Sequence, residues 1–233
     1  MCFSATASFT AGAVLLGVGT LTLRSALASR HSHRRRDLPF AAIPLLFAIQ
    51  QLIEGVIWLT FRVDAPLLNA VMTHAYSFFS HVLWPVYVPV AVLLMEPAGW
   101  RRQGLIAFVA AGAALGAYLL VVLVAFPIAS RPTGQHIKYV SPHFFAAVTM
   151  TLYLLSAAVS PLLSTHRMVI VFGGLALLSF GAAYAFYATW FISVWCFFAA
   201  LLSAVVYLHF GVRDLERSRS NDSSLSAHRS QEA

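Results

Sequence analysis

Glu54, His74 and His81 stand inside two long apolar stretches with no charged partner close by in the sequence, and Gln51 and Ser77 lie about one helical turn from them. A carboxyl group among imidazoles, carboxamides and hydroxyls can hold a proton, a small ion or a polar ligand. It can also complete a metal site. His74, Ser77, His81 and Trp84 fall at i, i+3, i+7 and i+10, one stripe of a helix, while Gln50, Gln51, Glu54 and Trp58 form a matching face on the preceding stretch. At about 1.5 Å per residue, Glu54 and His74 share a depth of about 10 Å below the ends of their helices, with His81 deeper.

A metal would draw on Glu54 and His74 together with ligands from elsewhere, and the candidates are His143, Cys2 and Cys196. His74 and His81 are about 10 Å apart along one axis, too far to grip an ion together. No CxxC, HExxH or HxxxH spacing occurs, so no motif names a cofactor. Cys2 and Cys196 stay open as a disulfide, a pair of soft ligands or two unrelated thiols.

The elements that must carry these residues follow from composition. Hydrophobic residues make up 60% of the chain and charged ones 10%, against about half and a quarter in a soluble domain. Runs long enough to cross hydrocarbon, about 20 residues each, fall at 6–28, 38–61, 67–95, 104–126, 142–163, 168–188 and 190–210. The expected fold is all-α, a seven-transmembrane-helix bundle over residues 1–212. A polar, Ser- and Arg-rich tail at 213–233 is too poor in apolar residues to fold alone.

Arginines fix the orientation. With the N-terminus outside, the inner loops and tail hold Arg30, Arg34, Arg35, Arg36, Arg101, Arg102, Arg167, Arg213, Arg217, Arg219 and Arg229, and the outer loops only Arg62, Arg131 and Lys138. This is the positive-inside pattern, with the C-terminus cytoplasmic. The net charge of +7 then reads as topology and contact with an anionic lipid bilayer, not as a nucleic-acid footprint.

Pro85 and Pro89 predict a bend in the third span near His81. Gly112 and Gly116 on the fourth span allow close helix approach, first within the chain and second as an oligomer face. The loop at 127–141 is a connector or a lid.

The stretches MCFSATASF, QQLIEGVIWL with Gln50 before it, WPVYVP and SVWCFFAALLS resemble an uncharacterised family of bacterial multi-pass proteins classed as a domain of unknown function. The resemblance implies a multi-pass fold in the bacterial inner membrane, assigns no activity, and directs attention to Cys2, Ser4, Gln51, Glu54, Trp58, Trp84 and Cys196. A microbial rhodopsin would need a lysine in the last span, and Lys138 lies in a loop. Ser77 and His81 echo the SxxxH element of the ceramidase and adiponectin-receptor hydrolases, but the paired HxxxH of their last span is missing here, with Val205 four before His209.

Three functions therefore compete. The leading one is a sensor or transporter component binding a small ligand, ion or proton in an outward-facing cavity of Glu54, His74, His81, Gln51 and Ser77. A metal-dependent hydrolase of a lipid-like substrate and a bis-His haem protein using His74, His81 or His143 are the alternatives.

Overall fold

A computed structural model of the chain describes residues 4–28, 34–134, 136–142, 145–187, 194–195, 198 and 200–211. Helices dominate: α1 (Ala5–Ala28), α2 (Arg34–Ala41), α3 (Ile43–Val63), α4 (Pro66–Ser77), α5 (Trp84–Met95), α6 (Trp100–Ala125), α7 (Ala146–Leu154) and α8 (Arg167–Tyr187). Residues 203–211 are helical as well. Hydrocarbon offers no partners to backbone groups, so a chain this apolar must satisfy them within its own helices. Six helical segments among the described residues are long and apolar enough to cross a membrane. The expected seventh, 190–210, and the tail, 213–233, lie partly and wholly outside the described residues.

Small residues set how closely the first helices pack. Cβ atoms built on Gly12, Gly19 and Gly55 would come within 3 Å of Leu52, Leu45 and Phe9, so α1 and α3 touch along most of their length only because those positions are bare. The chain then turns tightly through Asp64, which is left-handed at φ 48, and α4 returns alongside α3.

Prolines reshape two spans. A π-helical segment, Phe78–Leu83, joins α4 to α5 just before Pro85, and a second, Leu155–Val159, follows α7 just before Pro161. A π turn pairs a carbonyl with the N–H five residues on, which proline lacks. The two carbonyls so placed, Ser80 and Ser156, accept instead from Tyr153 Oη (2.7 Å) and Ser160 Oγ (2.6 Å). The expected disturbance near His81 is therefore a widened turn. An extra residue in a turn rotates the rest of the helix by about 100°, so the stripe running through His74, Ser77, His81 and Trp84 is broken.

The 127–141 segment is not an irregular loop. It forms an antiparallel hairpin, β1 (Ala129–Thr133) and β2 (His136–Val140), with Ala129 opposite Val140, Thr133 opposite His136 and Gly134 at φ 61 in the turn. Ile137 and Tyr139 are buried while Lys138 and Val140 are exposed, the period of two that a half-covered strand requires. The buried face packs with Ile57 and Tyr76, so the hairpin covers the adjoining ends of α3 and α4.

A chain of side chains latches it there. Asn69 Nδ2 donates to Thr60 Oγ1 (2.8 Å), Ser130 Oγ donates to Asn69 Oδ1 (3.0 Å), and Thr73 Oγ1 donates to Ser130 Oγ (2.8 Å). Asn69→Ala removes the hub and leaves two buried hydroxyls short of a partner. Hydrogen exchange of 129–140 is expected to accelerate about tenfold, the effect of one to two lost bonds; unchanged protection would mean that the apolar face alone holds the hairpin.

Candidate functional site under the hairpin

Glu54 lies on the third turn from the end of α3 and has no solvent exposure. Tyr139 Oη donates to its Oε1 at 3.4 Å, so the hairpin reaches the carboxyl group directly. The ring of Tyr139 stacks on that of Tyr76, 4.5 Å between centroids and 3° between planes, and Tyr76 is fully buried on α4. Two helices and a strand thus converge on one carboxyl group.

Around it the α3 face is polar and buried. Gln50 and Gln51 are fully buried. Gln50 Oε1 accepts from Trp84 Nε1 (2.8 Å), and Trp84 stacks on Phe47 at 3.9 Å, so Gln50 ties α3 to α5. Neither polar atom of the Gln51 carboxamide has a hydrogen-bond partner among the described residues, and the same holds for Trp58 Nε1 and Ser77 Oγ. Buried amides and hydroxyls left this way are costly unless something else meets them.

The two histidines go elsewhere. His74 Nδ1 donates to the carbonyl of Ala70 on its own helix (2.8 Å), so the shared depth with Glu54 does not become a hydrogen bond. His81 Nδ1 sits within 2.8 Å of Ser80 Oγ and 3.2 Å of the Ser77 carbonyl. Its ring lines a small cavity with Leu119, Val122 and Leu123 of α6 and with Ser141 after the hairpin. Those α6 residues are the last turns before its hairpin-side end, so His81 is not deep in the bundle as its distance along the span implied. No group of three His, Cys, Asp or Glu side chains that could hold a metal gathers among the described residues, so Glu54, His74 and His81 do not form one there. Cys2, His143 and Cys196 lie outside those residues.

A model of a protein family matches residues 1–222. The chain belongs to this family of unknown function, DUF6629. No curated protein and no solved structure matches the chain. Membership accounts for the likeness seen in the sequence and brings no activity with it, so the chemistry must be argued from these residues.

Tyr139, Tyr76 and Glu96 were not singled out by sequence reasoning. A signal for the first existed: HIKYV after Thr133 and Gly134 alternates as a strand beyond a turn. Tyr76 carries none, since one tyrosine on an apolar helix reads as packing. Gly112 and Gly116 face Pro85, Val82 and Val86 of the same chain.

Burial holds the His136 imidazole on the hairpin below its ordinary pKa. A folded-state pKa below the unfolded one favours the neutral ring in the docked hairpin, so that contribution is full above the ordinary histidine value, about 6.5, and is lost as pH falls below it. The Tm of the wild type is expected to fall relative to His136→Gln on acidification through that range, and parallel curves would count against it.

Proposed function

We propose that this protein is a seven-span protein of the bacterial inner membrane, N-terminus outside and C-terminus cytoplasmic, that holds a proton or small cation at Glu54 as part of a sensor or transporter. One observation carries the reading: a carboxyl group without solvent exposure, sharing a helix face with two buried carboxamides, is met by the hydroxyl of a hairpin residue. The arginine asymmetry supports the orientation, under which the hairpin stands on the outer side.

A neutral Glu54 suits apolar surroundings, whereas an ionised one needs donors or a cation beside it. Tyr139 is one such donor, and the buried Gln51 carboxamide stands about one turn away on the same helix face. Lifting the hairpin would withdraw Tyr139, which couples occupancy of the carboxyl group to hairpin position, and by linkage the reverse. That is the minimum a sensor or gated carrier requires.

Infrared difference spectroscopy on reconstituted protein tests this. A pH step, or a step in sodium at constant pH, should produce a carboxyl band that Glu54→Gln lacks and Tyr139→Phe shifts. A band that persists in Glu54→Gln, or no band in the folded wild type, removes the reading.

A further inference from the structure

We propose that the cleft between α6 and α7 holds one acyl chain of a glycerolipid from the hairpin-side leaflet, with an ester carbonyl or hydroxyl of that lipid at Ser141. The cleft measures about 310 Å³ and is walled by Ala114, Leu115 and Tyr118 on one side and by Phe145, Val148 and Leu152 on the other. That volume is at the lower end of ligand sites, about 300–1,000 Å³. Its walls are nearly all apolar.

Position argues for the occupant. Ala114, Leu115, Tyr118, Val148 and Leu152 belong to candidate membrane spans, and Val148 and the adjoining Phe145 are exposed at the rim, so in a bilayer the open side faces lipid chains. At its hairpin-side end the cleft adjoins the His81 cavity, with Tyr118 and Thr149 bordering both. That cavity, about 20 Å³, has room for one water-sized group. Ser141 lines it, and its Oγ is buried without a hydrogen-bond partner among the described residues. A hydroxyl in that state can accept from or donate to a polar group that enters the cavity.

The order of these features fixes orientation and class. A polar group lies at the hairpin end and apolar walls run inward from it, the polarity of an amphiphile in that leaflet. His81 shares the cavity with Ser141, but neither lysine nor arginine lines the cavity or the cleft, so no permanent cation stands there to hold a phosphate and the group at Ser141 is assigned as an ester carbonyl or hydroxyl. The proposal rests on the membrane placement of α6 and α7 and on nothing at Glu54.

The test uses the full chain in phosphatidylcholine nanodiscs carrying a glycerolipid with a diazirine in mid-chain. Photolysis should label residues 114–118 and 145–152 well above the lipid-facing surface of α1 at Val14 and Leu21, which serves as the annular reference. Ala114→Trp and Val148→Trp fill the cleft from opposite walls, and each should lower its label to the reference. Val148 is more than half exposed, so its variant guards against a folding failure in the other. Ser141→Ala should reduce co-purified lipid about fivefold, the factor of one ordinary hydrogen bond. Equal labelling of cleft and reference, or label unmoved by either tryptophan, overturns the proposal. Label on no helix at all overturns the membrane placement itself, a result distinct from both.

Discussion

Glu96→Ala is expected to lower stability by about 2–3 kcal/mol, since it removes a buried acceptor, strands the buried Ser164 hydroxyl and leaves the part-buried donors of Thr165 to water. Glu96 ends α5 with extended backbone, φ −77 and ψ 130, the conformation that Pro97 after it demands. The side chain is buried and turned toward the corner between the spans that meet at residues 164–166. Its Oε2 accepts from Ser164 Oγ (3.1 Å), the Thr165 N–H (3.0 Å) and Thr165 Oγ1 (3.4 Å), and Oε1 lies 3.1 Å from the same N–H. Arg101 Nη1 then donates to the Ser164 carbonyl (3.2 Å), and Arg102 Nη1 to the carbonyls of Leu93 (3.0 Å) and Glu96 (3.2 Å). Two corners distant in sequence are joined by one carboxyl group.

Alanine removes every acceptor of that side chain at once, whereas glutamine keeps one oxygen and turns an NH2 group toward donors. Glu96→Gln should therefore retain about half of the stabilisation. Thermal unfolding in detergent, followed by fluorescence-detected size exclusion, measures both. Equal midpoints for wild type and Glu96→Ala would show that water serves this corner as well as the carboxyl group does. Because Glu96 is remote from the hairpin, the Glu54 infrared band should survive in any variant that stays folded.

What the sequence discloses about this chain divides along a physical line. Apolarity is a property of whole segments, so the six described helical segments long and apolar enough to cross a membrane are legible from composition to within a few residues of Ala5–Ala28 through Arg167–Phe186. The direction of a side chain depends on local backbone, and there the reading parts from the structure. His81 lies four residues before Pro85, and a perfect α-helix carries it toward the face of Ser77 and Trp84. In the structure it lies within a π segment just before Pro85 and lines a cavity with α6. Glu54 was recognisable because a carboxyl group in an apolar run is anomalous on its own. Its partner Tyr139 is 85 residues away in a short hairpin, and no pattern local to Glu54 announces it.

Gly112→Ala should be about as damaging as the loss of Glu96, and for the opposite reason: it adds an atom where backbone already stands. A Cβ on Gly112 would run into the carbonyl oxygen of Pro85 and come within 3.3 Å of Ser156 Cβ. Pro89 supplies no N–H to that carbonyl, which sits four residues before it, so the oxygen leans out of α5 and α6 approaches it through a bare glycine. Overpacking a core costs about 1–3 kcal/mol when side chains can yield, and here the obstacle is backbone, so the upper end applies. The origin of the clash is testable by a double-mutant cycle. Pro89→Ala restores the donor, draws the Pro85 carbonyl back into its own helix, and should recover part of the loss in Gly112→Ala. Gly174→Ala is the control, because nothing lies within 4 Å of a Cβ there, and removing a glycine from a helix should leave stability unchanged or raise it by about 0.5–1 kcal/mol. If Gly112→Ala melts with the wild type, or Pro89→Ala gives no recovery, the proline carbonyl is not what the glycine accommodates.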